Sequence, residues 1–108
     1  MHEMAYKVKA DFLKTLGHPV RLKLIEELKT GEKSVGELVS KLKIAQSNIS
    51  RHLLALRNAG ILSSRQEKTV VYYDIADHDI FNVLRPIAVM LRKKFKESEK
   101  VFRTLGKD

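Results

Sequence analysis

The chain has 108 residues, no cysteine, and 21 Lys+Arg against 13 Asp+Glu, giving a net charge of +8 at pH 7 and a pI near 9.8. That length suits one domain with a modest core, and the missing thiols exclude disulfides, thiolate metal ligands and thiol redox switches, as in a reducing cytoplasmic compartment. With 44% hydrophobic residues the chain is not compositionally disordered, and its cationic excess fits either a polyanionic partner or a solvated basic surface.

Met1–Tyr6 lacks the basic-then-apolar pattern of a signal peptide, and no apolar run approaches membrane-spanning length. Ala5, Val8, Phe12 and Leu16 recur at helical spacing, and Gly17 stops this first helix. Pro19, suited to a first helical position, opens a second helix carrying Leu22, Leu24, Ile25 and Leu28. Ser34-Val35-Gly36-Glu37 is a capping box, in which serine and glutamate side chains satisfy backbone amides reciprocally; Val35, Leu38, Val39 and Leu42 follow as a short third helix.

The fourth helix spans about Gln46 to Asn58 and ends at Gly60. Projected at about 100° per residue, Ile49, Leu53 and Leu56 form the inner stripe. Gln46, Ser47, Ser50, Arg51 and Arg57 share the opposite sector with Leu54, while His52 falls at the edge of the apolar stripe as a half-buried packing residue. Gln can pair bidentately with adenine and Arg with guanine, and Ser is short enough for phosphate or either base. Arg57, at the far end, is better placed for the DNA backbone or for solvent.

Ile61–Arg65 and Thr69–Ile75 read as two strands joined at Gln66-Glu67-Lys68, so the hairpin occupies about residues 62–75. Asp77-His78-Asp79 has the character of a helix cap, and a long amphipathic run follows to the C-terminus. Leu84, Ile87, Leu91, Phe95 and Phe102 line one stripe of it, and Pro86 is expected to kink or divide it. No linker, repeat or low-complexity segment appears, which predicts one domain over residues 1–108.

Helix, helix, then hairpin is the order of a winged helix. Leu16-Gly17-His18-Pro19-Val20-Arg21-Leu22 resembles the segment opening the second helix of ArsR-family regulators. Gln46–Leu53 with Leu56-Arg57-Asn58-Ala59-Gly60-Ile61-Leu62 is similar to that family's recognition helix and its exit, and Val71-Tyr72-Tyr73 to its second wing strand. The likeness runs from about Asp11 to Ile80. It implies a mainly α, dimeric winged helix-turn-helix with a small β-hairpin wing, acting as a transcriptional repressor on double-stranded DNA. Gln46, Ser47, Ser50 and Arg51 would face DNA, with Arg65 and Lys68 on the wing. Two departures stand out: Ala45 replaces the usual Ser or Thr cap, at a cost of about 1 kcal/mol, and the wing tip lacks glycine while carrying Glu67, which repels phosphate.

Many members of that family respond to metal, yet the third-helix segment here is Ser34-Val35-Gly36-Glu37-Leu38, without a cysteine pair. Asp77-His78-Asp79 matches only the start of a last-helix metal pattern, whose continuation would meet Met90 and Lys93; no metal or cofactor is expected, and a small-molecule effector stays open. The C-terminal stripe suits a homodimer interface, joined by Val8 and Phe12 of the first helix. Self-packing and a membrane-surface helix with Arg92, Lys93, Lys94, Lys96 and Lys100 are the alternatives. No catalytic constellation occurs: Ser50 and His52 are two apart on a helix and diverge. The competing functional reading is a winged helix used for protein contact in a transcription or chromatin assembly.

Overall fold

A computed structural model describes residues 2–96, which form two compact units, one up to Asp77 and one from His78 onward. The first unit holds α1 (His2–Leu16), α2 (Pro19–Glu27), a 3-10 turn (Leu28–Thr30), β1 (Lys33–Ser34), α3 (Val35–Leu42), α4 (Gln46–Asn58), β2 (Leu62–Glu67) and β3 (Val70–Ile75). The second holds α5 (Ile80–Lys96). This is a winged helix-turn-helix: α3 and α4 make the helical pair, and β2 and β3 make the wing.

The core of the first unit is aliphatic. Leu24, Ile25, Leu28, Leu38, Ile49, Leu53 and Leu56 are each less than 2% exposed. Each such burial contributes about 1.5–3 kcal/mol before entropy is counted. Three of the seven come from α4, so the helix that presents the polar face is also the one most firmly held.

Local chemistry fixes where α3 and α4 start and stop. The Glu37 amide donates to Ser34 Oγ at 3.1 Å and the Ser34 amide to Glu37 Oε1 at 2.8 Å, completing the expected capping box. Hydrogen bonding of the carboxylate to the Ser34 amide, and next to the Ser34 hydroxyl, holds the Glu37 pKa below its ordinary value. At the far end of α4, the Gly60 amide donates to the Arg57 carbonyl at 2.9 Å and the Ile61 amide to that of Leu56 at 3.0 Å. This is a Schellman stop; Gly60 takes φ +80, which a side chain would strain, and buried Ile61 and Leu56 bracket the turn.

The sheet corrects the sequence reading in two places. It has three antiparallel strands in the order β1-β3-β2, with Lys33 opposite Tyr73 and Ser34 opposite Tyr72. At two residues β1 is too short for periodicity to reveal. Ser34 both ends β1 and caps α3, so the helical pair starts from the wing's own sheet. The hairpin is also tighter than expected: β2 continues through Glu67, which pairs with Val70, leaving Lys68-Thr69 as the turn. Lys68 takes the left-handed φ of 60 that a glycine would adopt more readily.

Helix α5 runs unbroken from Ile80 to Lys96 with Pro86 inside it, so the proline does not divide it. Pro86 and Asn82 are both exposed, and the one carbonyl the proline leaves without an intrahelical donor can be hydrated. Phe102 and Lys100 lie outside the described residues.

Candidate nucleic-acid interface

The inner and outer faces of α4 separate as its periodicity predicts. Ile49, His52, Leu53 and Leu56 are buried; Gln46, Ser47, Asn48, Arg51, Leu54 and Arg57 are exposed, and Ser50 is half-buried. Ala45 makes no side-chain cap, although its carbonyl accepts from the Asn48 and Ile49 amides. The Gln46 and Ser47 amides therefore face outward at the positive end of the helix, where an anion is favoured.

Asn48 is the residue that sequence reading missed. Its Oδ1 accepts from Arg51 Nη2 at 3.2 Å, one helical turn away. The i,i+3 spacing was the available signal. Arg51 thus extends from a fixed point on the polar face and keeps other guanidinium donors free. Arg57 donates to Ser64 Oγ on β2 at 3.3 Å, tying the end of α4 to the wing.

His52 departs from its expected half-buried state. It is only 4% exposed, and its Nδ1 accepts from Arg21 Nε at 3.0 Å. Burial first, then the charges of His18, Arg21 and Arg51, hold its pKa below the ordinary value.

On the wing, Arg65 is engaged from several sides. Its Nε and Nη2 reach the two Glu32 carboxylate oxygens at 2.7 and 2.8 Å, Nη1 lies 3.6 Å from Glu67, and its guanidinium sits 4.5 Å from the centre of the Tyr72 ring. The hydrogen bond to Glu32 raises the pKa of Arg65 and lowers that of its partner. The fork uses two of the five guanidinium donors and offsets the charge that Arg65 would present to a phosphate. Lys68 stands exposed at the turn, its carbonyl accepting from Gln66 Nε2 at 3.1 Å.

Among the described residues no three His, Cys, Asp or Glu side chains are grouped so as to hold a metal ion, and the chain has no cysteine. Without a thiol the chain does not fit the cysteine metal sites that the family likeness implies. Val8, Ile87, Leu91 and Phe95 are exposed, while Phe12 and Leu84 are half-buried. Among the described residues no helix is long and apolar enough to cross a membrane.

A fully bolted helix with an unspent polar face, followed by a small wing, defines a winged-helix DNA-binding protein. Comparison with known proteins narrows the class. The family described as "Bacterial regulatory protein, arsR family" matches residues 18–64. An uncharacterized HTH-type transcriptional regulator of Mycobacterium tuberculosis, Rv0081, is 42% identical over 83 residues, covering 76% of this chain and 73% of the relative. Its crystal structure superposes with a TM-score of 0.78 at 37% identity, over 87% of this chain and 95% of that one. The biofilm growth-associated repressor of Agrobacterium fabrum is 48% identical over 68 residues, 63% of this chain and 58% of the relative. The chain belongs to the ArsR family and is a DNA-binding transcriptional regulator.

Proposed function

We propose that the protein is a cytoplasmic homodimeric repressor that reads an inverted-repeat operator through α4, without a cysteine metal site. The observation that carries this reading is the outer face of α4, where Gln46, Ser47, Asn48 and Arg51 are exposed directly across from fully buried Ile49, Leu53 and Leu56. Gln46, Ser47, Ser50 and Arg51 supply the direct contacts. Arg57 and Lys68 add contacts to flanking phosphate, and Arg65 joins them with its charge offset by Glu32. Cationic contacts with phosphate supply much of the affinity, so binding falls steeply with salt.

The dimer reading rests on apolar side chains that one chain leaves in water. On α5, Ile87, Leu91 and Phe95 are 38%, 43% and 47% exposed; on α1, Val8 is 59% exposed. Together with Leu84, the α5 side chains make one contact with a second chain, and Val8 with Phe12 of α1 makes another. A two-fold axis then sets two recognition helices about 34–36 Å apart, one turn of duplex. Repression follows if the operator overlaps a promoter, and the Agrobacterium relative's name supports that sign. A protein-binding α4 would need an apolar outer patch, whereas Leu54 is the only large apolar exposed side chain among its residues.

Selection of bound duplexes from a random pool, combined with light-scattering mass measurement, tests both parts. A palindromic consensus with a two-chain mass is expected. No enrichment would overturn the operator reading, and a one-chain mass on DNA would overturn the dimer.

A further inference from the structure

A partly buried polar cluster joins His52 of α4 to α2 and the end of α1. Arg21, on α2, donates from Nε to His52 Nδ1 at 3.0 Å and from Nη1 to the Thr15 carbonyl in the last turn of α1 at 3.0 Å. One planar guanidinium therefore joins α1, α2 and the back of α4. His18, the N-cap of α2, places its ring 4.2 Å from that of His52, centre to centre, while its own Nδ1 accepts from the Val20 amide at 3.3 Å. His52 itself is 4% exposed.

This geometry fixes a protonation state. A guanidinium has donors only, so the His52 nitrogen facing it must be the unprotonated one, and the ring proton sits on Nε2. A second proton would go to Nδ1, replacing an acceptor with a donor aimed at a donor. The resulting cation would face Arg21 and His18 from α2, with Arg51 beside it on α4. Each of these opposes protonation, as does burial, and the pKa is held down accordingly.

We propose that Arg21 and His52 are positioning residues for DNA reading: the guanidinium is a strut from the end of α1 to the recognition helix, and it holds α4 only while the His52 imidazole is neutral. The proposal rests on α4 as the DNA-reading helix. Arg51 precedes His52 by one residue, about 100° around the helix, so a shift of the His52 anchor moves the arginine that faces the groove. The coupling runs against ordinary charge effects, because added positive charge by itself strengthens binding to DNA.

The test measures affinity for a duplex taken from the random-pool selection, at constant ionic strength, from about pH 8 to about pH 5.5. The wild type is expected to lose affinity a few-fold on acidification, because a pKa held below the ordinary histidine value leaves His52 only partly protonated at the low end of that range. His52→Asn, which sets a non-titrating amide oxygen near the place of Nδ1, removes that acid loss. Arg21→Lys, whose single ammonium cannot span both acceptors, weakens binding throughout the range. Affinity that is flat or rises on acidification overturns the proposal, as does an unchanged acid loss in His52→Asn.

Amide hydrogen exchange on the free wild-type protein gives a second readout that needs neither DNA nor a variant. After correction for intrinsic rates, α4 amides should lose protection at acid pH while those pairing β2 with β3 keep theirs. Equal behaviour of the two regions overturns the strut. If no duplex is ever selected, the operator reading fails, while the exchange result still decides the strut.

Discussion

Helix α4 and the wing are neighbours in sequence and both expose cationic residues, but they spend their polar groups differently. On α4, the exposed Gln46, Ser47 and Arg51 make a single side-chain bond among them, Arg51 to Asn48, and the first-turn amides face outward. On the wing, Arg65 is forked onto Glu32, approached by Glu67 and stacked on Tyr72. Counting only formal charges, Arg65 and Lys68 are offset by Glu32 and Glu67. A cationic residue near a duplex is therefore not yet a phosphate ligand; what it already holds decides whether it is available.

The contrast can be broken first through the core beneath α4. Leu53→Ala removes a fully buried side chain and should cost about 2–5 kcal/mol of stability, measured by urea denaturation. A cost near zero would mean that α4 is not held by its inner face. Arg51→Ala should cost about 1–3 kcal/mol of discrimination between a selected duplex and a random one. Fluorescence anisotropy on both duplexes checks this, and equal losses would reduce Arg51 to a phosphate contact.

Freeing the wing sharpens the comparison from the other side. Glu32→Gln leaves Arg65 without its carboxylate partner, so DNA affinity should rise a few-fold and the salt slope should steepen by about one. A fall in affinity would show instead that the fork aims Arg65 at DNA. The smallest effect is at the α3 cap. Because the Glu37 pKa is lowered by Ser34, its contribution is complete above the ordinary carboxylate range and is lost as pH falls through the lowered value. Thermal unfolding of Glu37→Gln should therefore show a smaller acid loss than the wild type in that window, the share of Glu32 remaining.

Most of the site was legible because it depends on periodicity and local chemistry. The stripe Ile49, Leu53, Leu56 fixes by itself which way Gln46 and Arg51 face, and Ser34 with Glu37 announces the start of α3. Gly60 marks the stop of α4 because only a residue without a side chain adopts its φ of +80 without strain. What was not legible depends on partners far apart in sequence. The Glu32–Arg65 fork and the Arg21–His52 bond span separations of 33 and 31 residues, which no local pattern encodes. The strand Lys33–Ser34 exists only because β3 lies beside it. Pro86 argued for a break in α5, but the helix tolerates one lost donor on an exposed turn.

Comparing the duplexes selected from a random pool by the wild type and by Arg51→Ala tests most directly whether α4 reads sequence. The wild type should return a palindrome, and the variant the same palindrome with one base pair in each half made degenerate. Identical consensus sequences from the two proteins, or none from either, would contradict base reading by this helix.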